Sequence, residues 1–171
     1  MTTLAITVVG HDRPGIIAQA AEVLSESGMN LEDSSMTLLR GHFAMTLICA
    51  GEAGAVAVER ALAPLLDGSL AVTVREVPDE PGPVRPADSY LVTVHGADQL
   101  GILARLAGVI AGAGGNITDL STRLVGDLYV LLAEVDLAPT ADVGAFTSEL
   151  ARVGAELGVD AGVRPLERDE L

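Results

Sequence analysis

Tryptophan is absent from the 171 residues, and two tyrosines and two phenylalanines hold the aromatic content to 2 %. Any core must therefore be built from Ala, Val, Leu and Ile, which suits thin, layered elements better than a deep aromatic pocket. Basic residues are also scarce: 10 Lys and Arg stand against 24 Asp and Glu, giving a formal net charge of −14. Such a chain repels a phosphate backbone, whose binding depends on Lys and Arg releasing counterions, so direct DNA or RNA binding is disfavoured. A single cysteine, Cys49, excludes an internal disulfide. It lies in the apolar run MTLICAG, where a buried, inert thiol is expected. No basic segment leading into an apolar stretch opens the sequence, and no apolar run reaches the roughly 18 residues of a membrane span. These absences predict a cytoplasmic protein without membrane contact.

What is present is apolar material, 49 % of the chain, enough for one ordinary domain or two small ones. Self-comparison favours two. With a constant offset of 86 and no gap, residues 4–48 align with residues 90–134, and about 14 of 45 positions are identical. The shared residues include Gly10/Gly96, Asp12/Asp98, Gly15/Gly101, Ile16/Ile102, Gly28/Gly114, Asn30/Asn116, Asp33/Asp119 and Ser35/Ser121. Between the copies runs VPDEPGPVRPAD, whose four prolines predict an extended, semi-rigid linker. The expected organisation is a first domain over residues 1–77, a Pro-rich linker over 78–87 and a second domain over 88–168, with a short charged tail.

Within each copy the hydrophobic period changes in a fixed order. In the first, strands are expected at Leu4–Val9, Leu31–Leu39, His42–Ala50 and Ser69–Val77, the middle pair joined by a hairpin turn at Arg40-Gly41. A helix over Pro14–Ser27 carries Ile16, Ile17, Ala20, Ala21, Val23 and Leu24 on its stripe and stops at Gly28 as a C′ glycine. A second helix, Ala53–Leu66, points Val56, Leu62 and Leu66 inward, with Pro64 working against its last turn. The second copy predicts strands Ser89–His95, Ile117–Val125, Leu128–Asp136 and Val159–Pro165, and helices Leu100–Ala113 and Ala141–Leu157. The order βαββαβ is the ferredoxin-like arrangement, an α+β fold with two helices on one face of a four-stranded antiparallel sheet.

The stretch GHDRPGIIAQAAEVLSESGMNLED resembles the opening of an ACT domain, the small-molecule-sensing module of amino-acid metabolism. The following NLEDSSMTLLRGHFAMTLICAG is similar to the glycine cleavage system transcriptional repressor family, whose members are freestanding pairs of ACT domains. The N-terminal modules of formyltetrahydrofolate deformylase and phosphoserine phosphatase open in a similar way. The resemblance implies a regulatory ligand, an amino acid such as glycine or serine, held where the first loop and helix of one module meet a neighbouring module's strand. It carries over to Asp12, Arg13, Pro14, Gly15 and Ile16, with Asn30 and Asp33 at the start of the second strand. In the second copy the matches are Asp98, Gly101, Ile102, Asn116 and Asp119; Gln99 and Leu100 depart from the pattern at Arg13 and Pro14. A homodimer is implied, together with a partner that is a DNA-binding regulator or a metabolic enzyme.

Each of these residues also has a purely structural reading. Asp12 and Asp98 stand where an N-cap is expected, and Pro14 is tolerated in a first helical turn. Gly15 and Gly101 either permit close packing of helix on strand or leave the first-turn amides open to a carboxylate. Asn30 and Asn116 are turn formers after a helix-ending glycine or amide contacts to a ligand. Asp33 and Asp119 meet a ligand ammonium or face water. None of the three histidines recurs between copies, no Gly-rich phosphate loop follows a strand, and no metal-ligand spacing occurs. The expectation is a protein that is not an enzyme and holds no cofactor or metal. The rivals are a tandem module with no ligand, a detached regulatory subunit of a metabolic enzyme, and a hydrolase using His11 and Asp12.

Overall fold

The computed structural model describes residues 1–65, 68–78 and 88–166. The linker beyond Pro78, Leu66 and the charged tail beyond residue 166 lie outside the described residues. The chain divides into two units, Met1–Gly82 and Pro83–Leu171. The first contains β1 (Thr2–His11), α1 (Ile16–Glu26), β2 (Met29–Leu39), β3 (His42–Gly51), α2 (Ala55–Leu62) and β4 (Leu70–Val77). The second contains β5 (Asp88–Ala97), α3 (Ile102–Gly112), β6 (Asn116–Val125), β7 (Leu128–Leu137), α4 (Val143–Glu156) and β8 (Val159–Pro165). Both sheets are antiparallel with equivalent orders, β2-β3-β1-β4 and β6-β7-β5-β8. The expected α+β architecture, two ferredoxin-like modules, is the one observed.

Alternation builds the cores. Leu4, Ile6 and Val8 of β1 point one way and pack with Ile16, Ala20 and Leu24 of α1 and Val58 and Leu62 of α2. In the second unit Val92 and Val94 meet Ile102, Leu106 and Ile110 of α3 and Phe146, Leu150 and Val153 of α4. Each of these Val, Leu, Ile and Phe side chains contributes about 1.5–3 kcal/mol by leaving water. The edge strand β2 is less covered, so Met36 and Leu38, on the same face as buried Met45 and Phe43, stay half-exposed.

Several expectations are corrected in detail. Helix α1 begins at Ile16, and Pro14 with Gly15 forms the turn before it. Ile17 and Ala21 face solvent, leaving Ile16, Ala20 and Leu24 as the buried stripe. Val56 is 71 % exposed and Val58 takes its place inside, because Val58 stands one turn before Leu62 on the same face while Val56, six residues from Leu62, lies on another. The helix gives way to a 3₁₀ turn at Ala63–Leu65, where Pro64 removes an N–H donor. Asn30 and Asn116 are strand residues, paired with Ala50 and Asp136, and do not form turns. A bulge follows each of them, between Leu31 and Asp33 and between Ile117 and Asp119. Gly28 and Gly114 do end their helices, at φ of 71° and 72°.

In α3 the exposed Gly108 sits in the helix interior, where glycine costs about 1 kcal/mol relative to alanine, and the exposed Gly112 is the last residue of the helix. Neither has a positive φ, and a Cβ added to either meets nothing within 4 Å. Nothing in the described residues of the module itself accounts for them.

Candidate ligand-binding clefts

The loop from β1 to α1 is fixed from both sides. A Cβ on Gly10 would lie 2.0 Å from the Ser69 carbonyl oxygen, and one on Gly96 would lie 2.8 Å from the Val159 Cα. Both glycines therefore let the last strand cross closely beneath the loop. The Asp12 amide donates to the Gly41 carbonyl (3.1 Å), tying the loop to the β2–β3 hairpin.

Gly15 and Gly101 occupy the N-cap positions of α1 and α3 in the left-handed region, at φ of 90° and 85°. Neither helix start carries a side-chain cap, so Asp12 and Asp98 do not cap as expected. By contrast Asp142 caps α4, its Oδ1 accepting from the Ala145 amide at 2.9 Å. A Cβ on Gly15 or Gly101 would meet nothing within 4 Å. Close packing is therefore not the reason for glycine; the backbone conformation is. The first-turn residues that follow each glycine line an open cleft, and the helix dipole makes such a place favourable for an anion.

A cleft of about 430 Å³ lies against this turn in the first unit, bounded by Asp12, Arg13, Gly15, Ile17, Met36 and Phe43. Arg13 crosses the first turn, its Nη1 donating to the Gln19 Oε1 at 3.1 Å. The second unit repeats the cleft at about 440 Å³, between Gln99, Leu100, Gly101, Leu103 and Tyr129. Tyr129 stands where the first copy has Phe43, and burial, then the Asp98 charge, push its phenol up from the ordinary value of 10.0. The arginine and glutamine of the first copy are exchanged in the second: Gln99 takes the place of Arg13, and Arg105 that of Gln19. Arg105 turns away to Glu156, at 2.5 Å.

Of the residues singled out in the sequence, Asp12, Arg13, Gly15 and Ile16 converge on one cleft and Gly101 and Ile102 on the other. Pro14 lies in the turn itself, and Asp98 leads into its counterpart. Asn30, Asp33, Asn116 and Asp119 are not brought there. Asp33 is opposite Ile48, three residues along β2 from the cleft residue Met36, roughly 10 Å away and on the other face of the sheet. It borders a separate shallow depression of about 160 Å³ with Ser35, Thr46 and Ile48.

Other polar groups lie elsewhere. The His11 and His42 rings are 4.9 Å apart at the end of the β1–β3 ladder, and His95 makes an exposed pair with Asp160 at 3.6 Å. Cys49 is fully buried, and burial, then Glu32, raise its thiol above 9.0. Among the described residues no three His, Cys, Asp or Glu side chains gather as a metal site would require. Sequence reasoning missed Asp136, a buried acid accepting from the Ser89 hydroxyl at 2.6 Å. The only signal was an acid interrupting the apolar run of β7.

The profile of the ACT domain family matches residues 2–74 and 89–164. The glycine cleavage system transcriptional repressor of Escherichia coli (strain K12) is 30 % identical over 122 residues, covering 70 % of this chain and 64 % of that protein. A UPF0237 protein of Methanopyrus kandleri is 41 % identical over 75 residues, 43 % of this chain and 83 % of its own length. Among solved structures, an unknown protein from Galdieria sulphuraria superposes with a TM-score of 0.79 at 26 % identity, covering 97 % of this chain and 99 % of that one. A candidate glycine cleavage system transcriptional repressor superposes with a TM-score of 0.71 at 18 % identity, covering 98 % of both.

Proposed function

The chain belongs to the ACT domain family, and from that premise we propose that it is a non-enzymatic regulatory protein that senses a small amino acid such as glycine or serine. The observation that carries this reading is the recurrence, 86 residues apart, of an uncapped helix start behind a left-handed glycine, opening into a cleft of similar size. First-turn amides and the helix dipole supply a site for an α-carboxylate without a metal or a nucleophile. In the first module Arg13 adds a charge-assisted donor, while Ile17, Met36 and Phe43 offer an apolar wall.

The binding set is Asp12, Arg13, Pro14, Gly15 and Ile16 in one module and Asp98, Gly101 and Ile102 in the other. Asn30, Asp33, Asn116 and Asp119 do not line either cleft, so any contact from them comes from a separate surface. Binding favours the conformer with the higher affinity and so presents or withholds a surface for a partner. That partner is a DNA-binding regulator or a metabolic enzyme, in control of amino-acid or one-carbon metabolism, as the repressor's name suggests. The reading of an interaction module without a ligand draws on the second cleft, where Leu100 is fully exposed and no arginine replaces Arg13.

A thermal-shift screen of all amino acids tests the proposal through linkage, since a ligand at 100 times its Kd adds about 2.7 kcal/mol. One or a few small amino acids should raise the melting temperature. Arg13→Gln, which installs the second module's residue, should weaken binding to the first cleft about tenfold, the loss of one charge-assisted bond. No shift with any amino acid at millimolar concentration refutes the sensing role, and unchanged calorimetric affinity in Arg13→Gln refutes this cleft.

A further inference from the structure

His11 and His42 form the last pair of the β1–β3 ladder. The His11 amide donates to the Ser69 carbonyl at 3.2 Å, on the β4 side, while the Asp12 amide donates to Gly41 on the β3 side. His11 and His42 are therefore a non-hydrogen-bonded pair. In an antiparallel ladder this is where opposed Cα atoms stand about 4.5 Å apart and side chains come closest. Both side chains lie on the sheet face away from the helices, since Phe43, the neighbour of His42, belongs to the core.

The ring centres are 4.9 Å apart and the ring planes are tilted by 36°. Two imidazoles bound to one tetrahedral ion, through N–metal bonds of about 2.0–2.1 Å, hold their centres about 5 Å apart. Both residues are exposed, and among the described residues no hydrogen bond or ion pair holds either ring. Rotation about the last side-chain torsion, which is broad for histidine, turns a nitrogen of each ring toward the other. The fold does not need the pair, because the second module has Ala97 and Leu128 in the same register. A net charge of −14 draws cations to the chain; of the nearby arginines, Arg13 reaches to Gln19 and Arg40 stands in the hairpin turn. Two protein ligands fall short of a closed metal site, so water or an outside donor completes the shell of the ion and the ion exchanges.

We propose that His11 and His42 form a two-imidazole site for an exchangeable transition-metal dication, Zn²⁺, Ni²⁺ or Cu²⁺, that pins the end of β1 to the start of β3. Imidazole suits these ions, whereas Mg²⁺ and Ca²⁺ take oxygen ligands. Each ring donates a lone pair in place of one water of the hydrated ion, with no change of oxidation state. The inference is independent of the amino-acid reading. Calorimetric titration of the full chain, carrying no affinity tag, with Ni²⁺ at about pH 8 should show one ion bound per chain. The Kd should be roughly 1–100 µM, and Mg²⁺ should bind at least about a hundredfold more weakly. His11→Ala/His42→Leu, which installs the second module's pair, should lose at least about tenfold in Ni²⁺ affinity with unchanged circular dichroism. Either single substitution should lose as much, because a chelate needs both rings. His95→Ala, at the exposed pair with Asp160, should leave the affinity unchanged. Equal Ni²⁺ affinity in the double variant puts the ion on other groups and overturns the proposal. Wild-type binding no tighter than about 1 mM overturns it as well.

Discussion

Gly15 and Gly101 show how one residue can carry two explanations that only a dihedral angle separates. A missing Cβ in the sequence is compatible with tight packing or with a left-handed turn. At φ near 90° with nothing within 4 Å, the turn is the cause. Any side chain there strains the backbone by about 1–2 kcal/mol, so Arg13 is the cleaner probe of the cleft. The second cleft has its own reporter in Tyr129. A phenol whose folded value is raised contributes stability below pH 10, and loses it as pH rises through the folded value. With Tyr90→Phe removing the other tyrosine, the ultraviolet phenolate signal should rise above the ordinary pH 10. Asp98→Asn should lower that midpoint only in part, because burial is the larger cause. A midpoint at or below 10 in Tyr90→Phe contradicts the placement of Tyr129.

At the scale of elements, the structure assigns each hydrophobic run a testable weight. Leu62→Ala in α2 should destabilise the protein by about 2–5 kcal/mol. Val56→Ala on the same helix should stay within about 0.5 kcal/mol. Denaturant unfolding of the two variants compares them directly, and equal losses contradict the observed phase of α2. Strand and helix order was legible because periods of two and about four alternate cleanly and repeat after 86 residues. The start of α1 was not, since Pro14 fits both a first helical turn and the turn that precedes it. Hairpin chemistry was legible in both copies, with a different turn in each. In the first, Arg40 and Gly41 both have positive φ, the primed turn that suits twisted strands. In the second copy the glycine moves one place to Gly126, and Asp127 has no positive φ. The cleft at the helix start was foreseeable from the Gly15 and Gly101 match. That Asn30 and Asp33 do not line it was not, because this depends on pairing register and the bulge after Leu31, which local sequence does not display.

At the scale of the whole molecule, charge governs association. Twenty-four acids against ten bases leave little to compensate a nucleic-acid backbone. A gel shift with plain duplex DNA at about 0.15 M salt should show no retarded band at micromolar protein. A salt-sensitive complex with DNA alone contradicts the indirect route to transcription. The exchange of Arg13 and Gln19 for Gln99 and Arg105 has a consequence for the duplicated chain. One guanidinium stands on the turn before α1, beside the cleft, in the first copy and on α3, paired with Glu156 of α4, in the second. The halves are thereby not interchangeable. A chain of two first modules would hold two cationic clefts. A chain of two second modules would hold no arginine beside either cleft.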